Sequence, residues 1–309
     1  MVEYAKYELK NVCSRLSSGK SISSKMISEE GRYPVYGGNG LRGYTDHSNF
    51  SGDCAIIGRQ GAFCGNVRYF SGEAYMTEHA VVVCANNLNN THYLAYLLST
   101  MNLGRLSGQS AQPGLSVKTL GIQEIMLPSI EYQNKVVALL SSLDEKIAVN
   151  NNINDNLQQQ AAATFRSWFV DCDLFGGKAP DEWENVTLED ITALVSRGIT
   201  PKYADDTDQI VINQKCVRNH MIDLSLARTH TPKVINEKWL RFGDLLINST
   251  GDGTLGRAAQ VWFQPKNLTV DSHVTIVRPA KENLIFYIGL WGILHEKEIE
   301  SLQIGRAHV

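Results

Sequence analysis

Apolar and small polar side chains recur every three or four residues through the middle of this chain. The alternating spacing runs without a break through Val136, Leu140, Leu143, Ile147, Asn150, Asn154, Leu157, Ala161, Thr164 and Trp168. These residues, called the seam below, have the spacing of a coiled-coil helix that faces a partner helix. Pro128 and Ser129 mark the start of the helix, and Gly176 and Pro180 forbid its continuation, so we predict it over residues 129–172.

Asn150 and Asn154 lie in adjacent layers of the seam. A buried amide fixes the register of a helix pair, because a misaligned partner would leave that amide without a hydrogen bond. The alternative is a solvent-exposed connector whose asparagine-rich middle is simply polar. We favour a partner helix, since an exposed connector would not need leucine, isoleucine and tryptophan along one line.

The segments before and after this helix repeat each other. Four framework residues recur at one constant offset, namely Leu9, Val12, Leu16 and Gly19 as Leu188, Ile191, Val195 and Gly198. Two later blocks recur in the same order at growing offsets. Gly52-Asp53 recurs as Gly243-Asp244, and the mainly apolar segment that follows His79 recurs after His273. Insertions in surface loops shift offsets in this way while the framework stays in order.

The repeat predicts a duplicated α/β (α+β) fold. We expect one domain over residues 1–128, the spacer helix over 129–172, a linker over 173–182 and a second domain over 183–303. Each copy should open with a short helix followed by a turn.

Composition and charge restrict the functional class. The 309 residues are 43% hydrophobic and 20% charged with a net charge of −3, which is typical of a soluble globular protein and argues against a general polyanion binder. Only residues 1–128 carry a small positive charge. No stretch reaches the ~18 apolar residues of a membrane span, so we expect a cytoplasmic protein with no membrane partner. The six cysteines lack metal or redox spacing, which predicts free buried thiols, and His79 and His273 are interpreted as structural.

Two glycine-rich segments match the dinucleotide-binding pattern Gly-x-Gly-x-x-Gly without its context. Gly38–Gly43 does not follow a buried strand, and Gly251–Gly256 leads into a strand rather than a helix, so both are predicted to be hairpin turns. The sequence also lacks a phosphate-binding loop, a zinc-protease motif and an adenine-methyltransferase motif. We therefore expect a recognition protein without catalytic residues, not an enzyme.

Four blocks resemble the DNA-specificity subunits of type I restriction-modification systems: Tyr33–Gly40, Gly58–Val67, Ile125–Pro128 and Phe165–Asp171. The resemblance implies two target-recognition domains with β-rich DNA-facing parts, separated by two antiparallel helices and reading an asymmetric, split DNA sequence. It implies double-stranded DNA, methyltransferase subunits and restriction/translocase subunits as partners. S-adenosylmethionine, ATP and Mg would then belong to those partners, and this chain would hold no cofactor or metal.

The end of the chain departs from the family pattern. The second domain lacks a counterpart of residues 114–128 and of the second helix, so we expect the chain to be truncated. Residues 304–309 resemble a translated sequencing adapter and are expected to be non-native. Without its partner helix, the seam could pair with a second copy of this chain.

DNA contacts are expected from basic and polar residues on loops. The candidates in the first domain are Lys20, Lys25, Tyr36, Asn39, Arg42, Arg59, Gln60 and Arg68, and those in the second are Asn213, Gln214, Lys215, Arg218, Ser249, Thr250, Thr254 and Arg257. Arg59 and Gln60 are the strongest pair, because the flanking Gly58 and Gly61 would let the backbone approach a groove. Equally, those glycines could serve a tight turn and Arg59 could be an ordinary surface charge.

A second functional class stays open. Two β-rich domains on a coiled-coil spacer could form a scaffold that binds proteins or glycans, which the acidic second domain would suit. Salt separates the classes, because a DNA reader should lose affinity steeply as salt rises.

Overall fold

A computed structural model describes residues 2–61, 63–107, 114–251 and 253–301. The chain forms two compact units, Met1–Asn151 and Asn152–Val309, called the first and second unit below. The boundary falls within the long central helix. Among the described residues, no helix is both long and apolar enough to cross a membrane.

The first unit is built on strands. Its elements are β1 (Ala5–Glu8), β2 (Cys13–Ser18), β3 (Tyr33–Gly37), β4 (Gly40–Thr45), β5 (Phe50–Gly58), β6 (Val67–Met76), β7 (Ala80–Ala85), α1 (Thr91–Ser99), α2 (Val117–Gly121), β8 (Glu124–Leu127) and the first part of α3 (Ile130–Phe165). Six strands form one sheet in the order β2-β7-β5-β6-β3-β4, and β1 pairs with β8. Neighbours are antiparallel except β3 and β6.

Alternation along β5 divides the core of the first unit into two clusters. Ala55 and Ile57 pack in the cluster that contains Leu94 of α1, whereas Ile56 packs with Met76 in the cluster on the other face. Successive side chains of a strand point to opposite faces, so one strand can serve both clusters.

Helix α3 begins as its sequence predicts. The backbone N–H of Tyr132 donates to Ser129 Oγ at 3.4 Å, and a hydrogen bond from Ser129 lowers the pKa of Glu131. Gln133 then fixes the first turn: it is 1% exposed, its Nε2 donates to the Pro128 carbonyl at 3.0 Å, and its Oε1 accepts from the Asn90 N–H at 2.9 Å. The predicted long helix is confirmed, and it closes in a π-helical turn, Arg166–Val170.

The second unit contains the rest of α3 and a smaller set of strands. Its further elements are α4 (Leu188–Ile191), β9 (Thr192–Arg197), β10 (Ile210–Ile212), β11 (Val217–Arg218), β12 (Met221–Ile222), β13 (Arg228–Thr229), β14 (Leu245–Asn248), β15 (Ala258–Gln260), β16 (Leu268–Val270), β17 (Val274–Pro279), α5 (Ile285–Leu294) and α6 (Glu296–Ser301). The main sheet has the order β15-β14-β17-β9, with a second sheet β13-β10-β16 and a hairpin β11-β12.

The duplicated fold is confirmed by strand order. Read from β9, the main sheet of the second unit repeats the order β2-β7-β5-β6 of the first. The register agrees as well, because Leu16 pairs with Val83 in the first unit and Val195 pairs with Val277 in the second. Parallel pairing is also shared, between β3 and β6 and between β10 and β16.

Gly19 and Gly198 show why the repeat keeps these glycines. The Gly19 N–H donates to the carbonyl of Ala80, the first residue of β7, at 3.0 Å. The Gly198 N–H donates to the carbonyl of Val274, the first residue of β17, at the same distance of 3.0 Å. A Cβ on Gly19 would lie 2.1 Å from the Met76 carbonyl oxygen, and one on Gly198 would lie 2.0 Å from that of Val270. Close backbone approach, rather than an unusual backbone angle, therefore requires glycine at both positions.

The structure corrects three details of the sequence interpretation. The opening helices, Leu9–Val12 and Leu188–Ile191, lead into strands β2 and β9 before any turn. Tyr33–Gly37, before the first glycine-rich segment, is a strand. That segment forms the β3–β4 turn and then enters β4, and the described residues of the second glycine-rich segment lie in the loop between β14 and β15.

The third correction concerns Gly52 and Gly243, whose match is one residue out of register. Ala55 pairs with Val83 and Leu245 pairs with Val277, so Ala55 corresponds to Leu245. The core agrees: Ala55 and Leu245 both face the helix-side cluster, whereas a slip of one residue would reverse the face.

Candidate nucleic-acid interface

Four loop segments of the first unit meet where β2, β3 and β5 end and β7 begins. We call residues 18–20, 37–40, 58–61 and 77–79 the first loop cluster. The N–H of Arg59 donates to the His79 carbonyl at 3.0 Å, and the N–H of Lys20 donates to the Met76 carbonyl at 2.9 Å. A Cβ on Gly38 would lie 3.0 Å from the His79 carbonyl oxygen. The cluster therefore forms one continuous backbone surface.

Glycines make this close packing possible. A Cβ on Gly58 would lie 2.5 Å from the Gly38 carbonyl oxygen and 2.4 Å from that of Phe63. Contacts this short to backbone atoms exclude any side chain. Gly58 thus serves the packing of loops against each other.

The structure brings four predicted cations of the first unit to this cluster. Lys20 and Arg59 belong to it, the Arg42 side chain would lie 2.7 Å from a Cβ on Gly37, and the Arg68 guanidinium carbon would lie 2.8 Å from a Cβ on Gly40. Lys20, Arg42 and Arg68 are exposed, and Arg59 is half-buried. Such a group can contact the oxygens of a phosphate chain.

Arg59 is held from within the cluster. Its Nη1 lies 3.4 Å from Ser18 Oγ and 3.5 Å from the Glu78 carbonyl oxygen, both near the limit of hydrogen bonding. Gln60 and Asn39 are exposed, and Gln60 forms an isolated backbone bridge with Gly114.

Two further candidates lie apart from these groups. Lys25 is exposed in the 3-10 turn Ser24–Met26. Tyr36 packs its ring 5.1 Å from that of Phe70 beside a core cluster, and burial raises its pKa while Arg68 opposes that shift. The Tyr36 side chain is thus a packing group at the rim of the core.

The second unit repeats this arrangement. We call residues 197–199, 213–215, 248–251 and 271–273 the second loop cluster. Its Ser249 N–H donates to the His273 carbonyl at 2.8 Å, as Arg59 does to His79. The Asp271 N–H donates to the Ile212 carbonyl at 2.9 Å, as the N–H of Thr77 does to Tyr36 at 2.9 Å.

Candidates that were selected in each half of the sequence occupy corresponding places. The shared hydrogen bonds and pairing place Gln214 and Lys215 where the first unit has Gly38 and Asn39. They also place Ser249 and Thr250 where it has Arg59 and Gln60. The two clusters therefore present different side chains on one backbone frame.

Several polar candidates of the second cluster hold the loops themselves. Thr250 Oγ1 lies 2.6 Å from His273 Nδ1, and Ser249 Oγ hydrogen-bonds Thr275 Oγ1. Thr254 Oγ1 donates to the Thr250 carbonyl at 3.3 Å. Asn213 likewise donates to the Leu226 carbonyl at 3.0 Å. These groups position the loops, which leaves Lys215 and Arg218 as the exposed candidates, whereas Gln214 and Arg257 are half-buried.

Asn248 shows how the second cluster replaces a glycine contact. Asn248 is fully buried, and its Nδ2 donates to the Gln214 carbonyl at 3.0 Å, at the place where Gly58 lies against Gly38 in the first unit. A side-chain hydrogen bond thus joins the loops that bare backbone joins in the first unit.

Sequence reasoning missed Arg197 and Asp271. Arg197 is exposed and its Nε donates to the Ser272 carbonyl at 2.8 Å. Asp271 is 4% exposed, its Oδ1 accepts from the His273 N–H at 2.9 Å, and burial raises its pKa. Counting basic residues near the repeated glycines could have found Arg197, which directly precedes Gly198.

The thiols and other metal-ligating side chains form no reactive centre in the described ranges. All six cysteines are free, and burial raises the pKa of Cys13 and of Cys54 to about 12, so neither is an activated nucleophile. Within the described residues, no three histidine, cysteine or acidic side chains gather as a metal site.

The seam is divided between packing and exposure. Val136 packs against the core of the first unit, but Leu143, Ile147 and Leu157 are 50%, 58% and 56% exposed. In the second unit, Leu157 and Ala161 line an apolar groove of about 930 Å³ together with Phe286 and Leu290 of α5.

Comparison with known proteins identifies the family. Residues 1–159 match the model of the type I restriction modification DNA specificity domain. The specificity subunit of the type I restriction enzyme EcoprrI of Escherichia coli is 41% identical over 134 residues, which cover 42% of this chain and 33% of that protein. The specificity subunit of the type I enzyme MjaIX of Methanocaldococcus jannaschii is 26% identical over 218 residues, covering 62% of this chain and 49% of that protein.

A solved structure shares the fold. The S subunit of a type I restriction-modification system from M. genitalium superposes with a TM-score of 0.64 over 97% of this chain and 79% of that chain, at 16% identity. The chain spans a third to a half of the two curated relatives. Because the family model covers more than half of its residues, this chain belongs to the type I restriction modification DNA specificity domain family.

Proposed function

We propose that this chain is a sequence-specific DNA-binding subunit of a type I restriction-modification complex, and that each loop cluster reads one half of a split, asymmetric target. One observation carries the proposal: two loop clusters share a backbone frame and differ in side chains. A shared frame would dock each unit on DNA in the same way, and different side chains would select different bases.

The cations of the first cluster support DNA as the ligand. Lys20, Arg42, Arg59 and Arg68 gather around one backbone surface, whereas the whole chain carries a net charge of −3. Concentrating positive charge on one face of an acidic protein suits a specific polyanion. A scaffold that binds neutral glycans would not need this distribution.

The chemistry of the complex would belong to its other subunits. This chain would direct methyltransferase subunits, which use S-adenosylmethionine, and restriction/translocase subunits, which use ATP and Mg, to the sequence that it reads. Its own role would be recognition alone, carried out in the cytoplasm.

The exposed seam of α3 would bind another helix. Leu143, Ile147 and Leu157 present apolar surface on one line, and burying such surface stabilises a helix pair by about 25 cal/mol per Å². The asparagines of the seam would set the register of that pair. A second copy of this chain can supply the helix when no other partner is present, giving a self-paired form.

A selection experiment tests the DNA proposal. The purified chain is incubated with long duplexes of randomised sequence, and bound duplexes are recovered, amplified and sequenced. Two different short motifs at a fixed spacing should be enriched. Enrichment of no sequence, with no retention of duplex at low salt, would refute DNA reading and favour the scaffold.

Salt and charge variants sharpen this test. Affinity for the selected duplex should fall linearly in log salt, because each neutralised phosphate releases counterions. Arg42→Ala should reduce the slope by about 1. Arg32→Ala is the matched control, because Arg32 is exposed directly before β3 whereas the first loop cluster lies at the end of that strand.

A further inference from the structure

Arg197 and Arg59 place guanidinium groups on corresponding turns of the two units. Arg197 Nε donates to the Ser272 carbonyl at 2.8 Å, and Arg59 Nη1 lies 3.5 Å from the Glu78 carbonyl oxygen. Glu78 lies two residues before β7, and Ser272 lies two residues before β17. These two strands occupy the same position in the repeated sheet.

The two arginines come from different strands. Ser18 pairs with Val81 as Arg197 pairs with Thr275, so the counterpart of Arg197 is Ser18. Arg59 donates its N–H to the His79 carbonyl as Ser249 does to that of His273, so the counterpart of Arg59 is Ser249. Arginine and serine have therefore exchanged places. The end of β2 carries Ser18 where the end of β9 carries Arg197, and the loop after β5 carries Arg59 where the loop after β14 carries Ser249.

We propose that Arg197 contacts DNA in the second unit as the functional counterpart of Arg59, so that each unit holds one guanidinium over the same turn. The inference rests on the proposed DNA-binding function and adds a contact residue to it. Ser249, which occupies the Arg59 position, uses its hydroxyl on Thr275 instead.

The bond to Ser272 leaves Arg197 able to bind an anion. A guanidinium has five N–H donors in a fixed plane, and one of them is used on a neutral carbonyl. The side chain is exposed, so the remaining donors can reach two phosphate oxygens or the O6 and N7 atoms of guanine.

Asp271 is the acidic group of this cluster. It is near enough for Arg197 to oppose the rise in its pKa, but its Oδ1 accepts from the His273 N–H, and in the described part of the chain it forms no ion pair with Arg197. The positive charge of Arg197 therefore stays available to a ligand.

The test uses the full chain, the duplex recovered by selection, and an unselected duplex of equal length. Arg197→Ala should weaken binding to the selected duplex about tenfold. A phosphate contact would also lower the salt slope by about 1 on both duplexes, whereas a base contact would relax selectivity at one position of one half-site. Arg241→Ala is the matched control, because it removes the same charge from an exposed residue. Arg241 lies before β14, whereas the second loop cluster includes the loop after that strand, so affinity should stay unchanged.

A transplant tests the exchange of strands. Arg197→Ser should bind as weakly as Arg197→Ala, and adding Ser249→Arg should restore most of the lost affinity. A folded transplant that binds no better than Arg197→Ser would overturn the equivalence of the two places.

The outcomes separate this inference from the function on which it rests. If Arg197→Ala melts like the unsubstituted chain and binds both duplexes as tightly, Arg197 is no contact residue, although DNA binding stands. If the unsubstituted chain retains no duplex at low salt, the DNA function fails and this inference fails with it.

Discussion

Asp244 and Arg278 form a buried ion pair in the second unit, at the place where the first unit has Cys54 and Cys84. Arg278 Nε donates to Asp244 Oδ1 at 2.8 Å, and Nη2 donates to Oδ2 at 2.7 Å. Extending the observed register by one pair sets Asp244 opposite Arg278 and Cys54 opposite Cys84. The same cross-strand position thus holds two charges in one unit and two thiols in the other.

Removing Arg278 should strongly destabilise the second unit. Arg278→Ala leaves the Asp244 carboxylate, whose side chain is 1% exposed, buried without a cation, at a cost of about 3–5 kcal/mol. All five tryptophans lie in the second unit, so urea unfolding followed by tryptophan fluorescence reports this unit selectively.

Asp181→Asn supplies the control for that experiment. It breaks an ion pair with Lys178 whose side chains are 82% and 90% exposed, and it should change stability by less than about 0.5 kcal/mol. Equal effects of the two substitutions would show that Asp244 and Arg278 are not buried as the structure has them.

Gly19→Ala should destabilise the first unit by at least about 2 kcal/mol, because the new Cβ would lie 2.1 Å from the Met76 carbonyl oxygen. The unit lacks tryptophan, so thermal unfolding is followed by far-ultraviolet circular dichroism with fluorescence as the reference for the second unit. Gly114→Ala meets no atom within 4 Å and should melt as the unsubstituted chain does. A tolerated Gly19→Ala would contradict the close approach of Gly19, which follows β2, to the end of β6.

The second unit should lose stability as pH rises through the titration of His220. The Glu296 carboxylate, whose Oε1 lies 3.2 Å from His220 Nδ1, raises the pKa of His220 above its ordinary value. A raised histidine pKa means that the folded state holds the proton more tightly. The gain is complete below about pH 6.5, the ordinary histidine pKa, and disappears above the raised value.

The expected loss is at most about 1 kcal/mol, since the pair is partly exposed. His220→Asn should flatten the dependence of tryptophan-detected unfolding on pH, and asparagine tolerates the positive φ of 59° at this position. The exposed His47 lies in the first unit, so His47→Asn should leave the curve of the second unit unchanged. An unchanged slope in His220→Asn would assign the pH dependence to other groups.

Gln133→Leu should loosen the start of α3. The substitution leaves the Asn90 N–H and the Pro128 carbonyl without their partner, at a cost of roughly 2–3 kcal/mol. Hydrogen exchange at the first turns of α3, measured by mass spectrometry, should accelerate. Gln158→Leu, at an exposed position of the same helix, should leave that exchange unaltered; if both variants exchange alike, Gln133 does not anchor the helix.

The sequence predicts the elements whose physical cause is local. The 4-3 spacing and the Ser129 cap predict α3 from local sequence alone. The repeat also marks Gly19 and Gly198, but the reason for glycine there, the close carbonyl oxygens of Met76 and Val270, is seen only in the structure. The ion pair of Asp244 and Arg278 cannot be found in this way, because residues on different strands create it and the other half of the repeat has thiols there.

The sequence predicts where the loops of the candidate interface lie better than it predicts which side chains are free. Three candidates expected on loops, Tyr36, Arg42 and Arg68, lie instead in strands β3, β4 and β6. Loop positions follow from the glycines and the strand ends, which the repeat shows. Whether Thr250 or Asn213 faces solvent depends on His273 and Leu226, which lie elsewhere in the sequence. Tyr36 likewise resembles a surface aromatic until its packing on Phe70 is known.

The crossing of Gly58 and Gly38 limits how the first unit can be engineered. In a library that randomises every loop position, most variants would carry a side chain at residue 58 and would not pack correctly, since any Cβ on Gly58 meets two carbonyl oxygens. The residues to vary in such a library are the exposed Asn39 and Gln60. In the second unit, the fully buried Asn248 fills the same place and donates to the Gln214 carbonyl, so this position should be left unvaried as well.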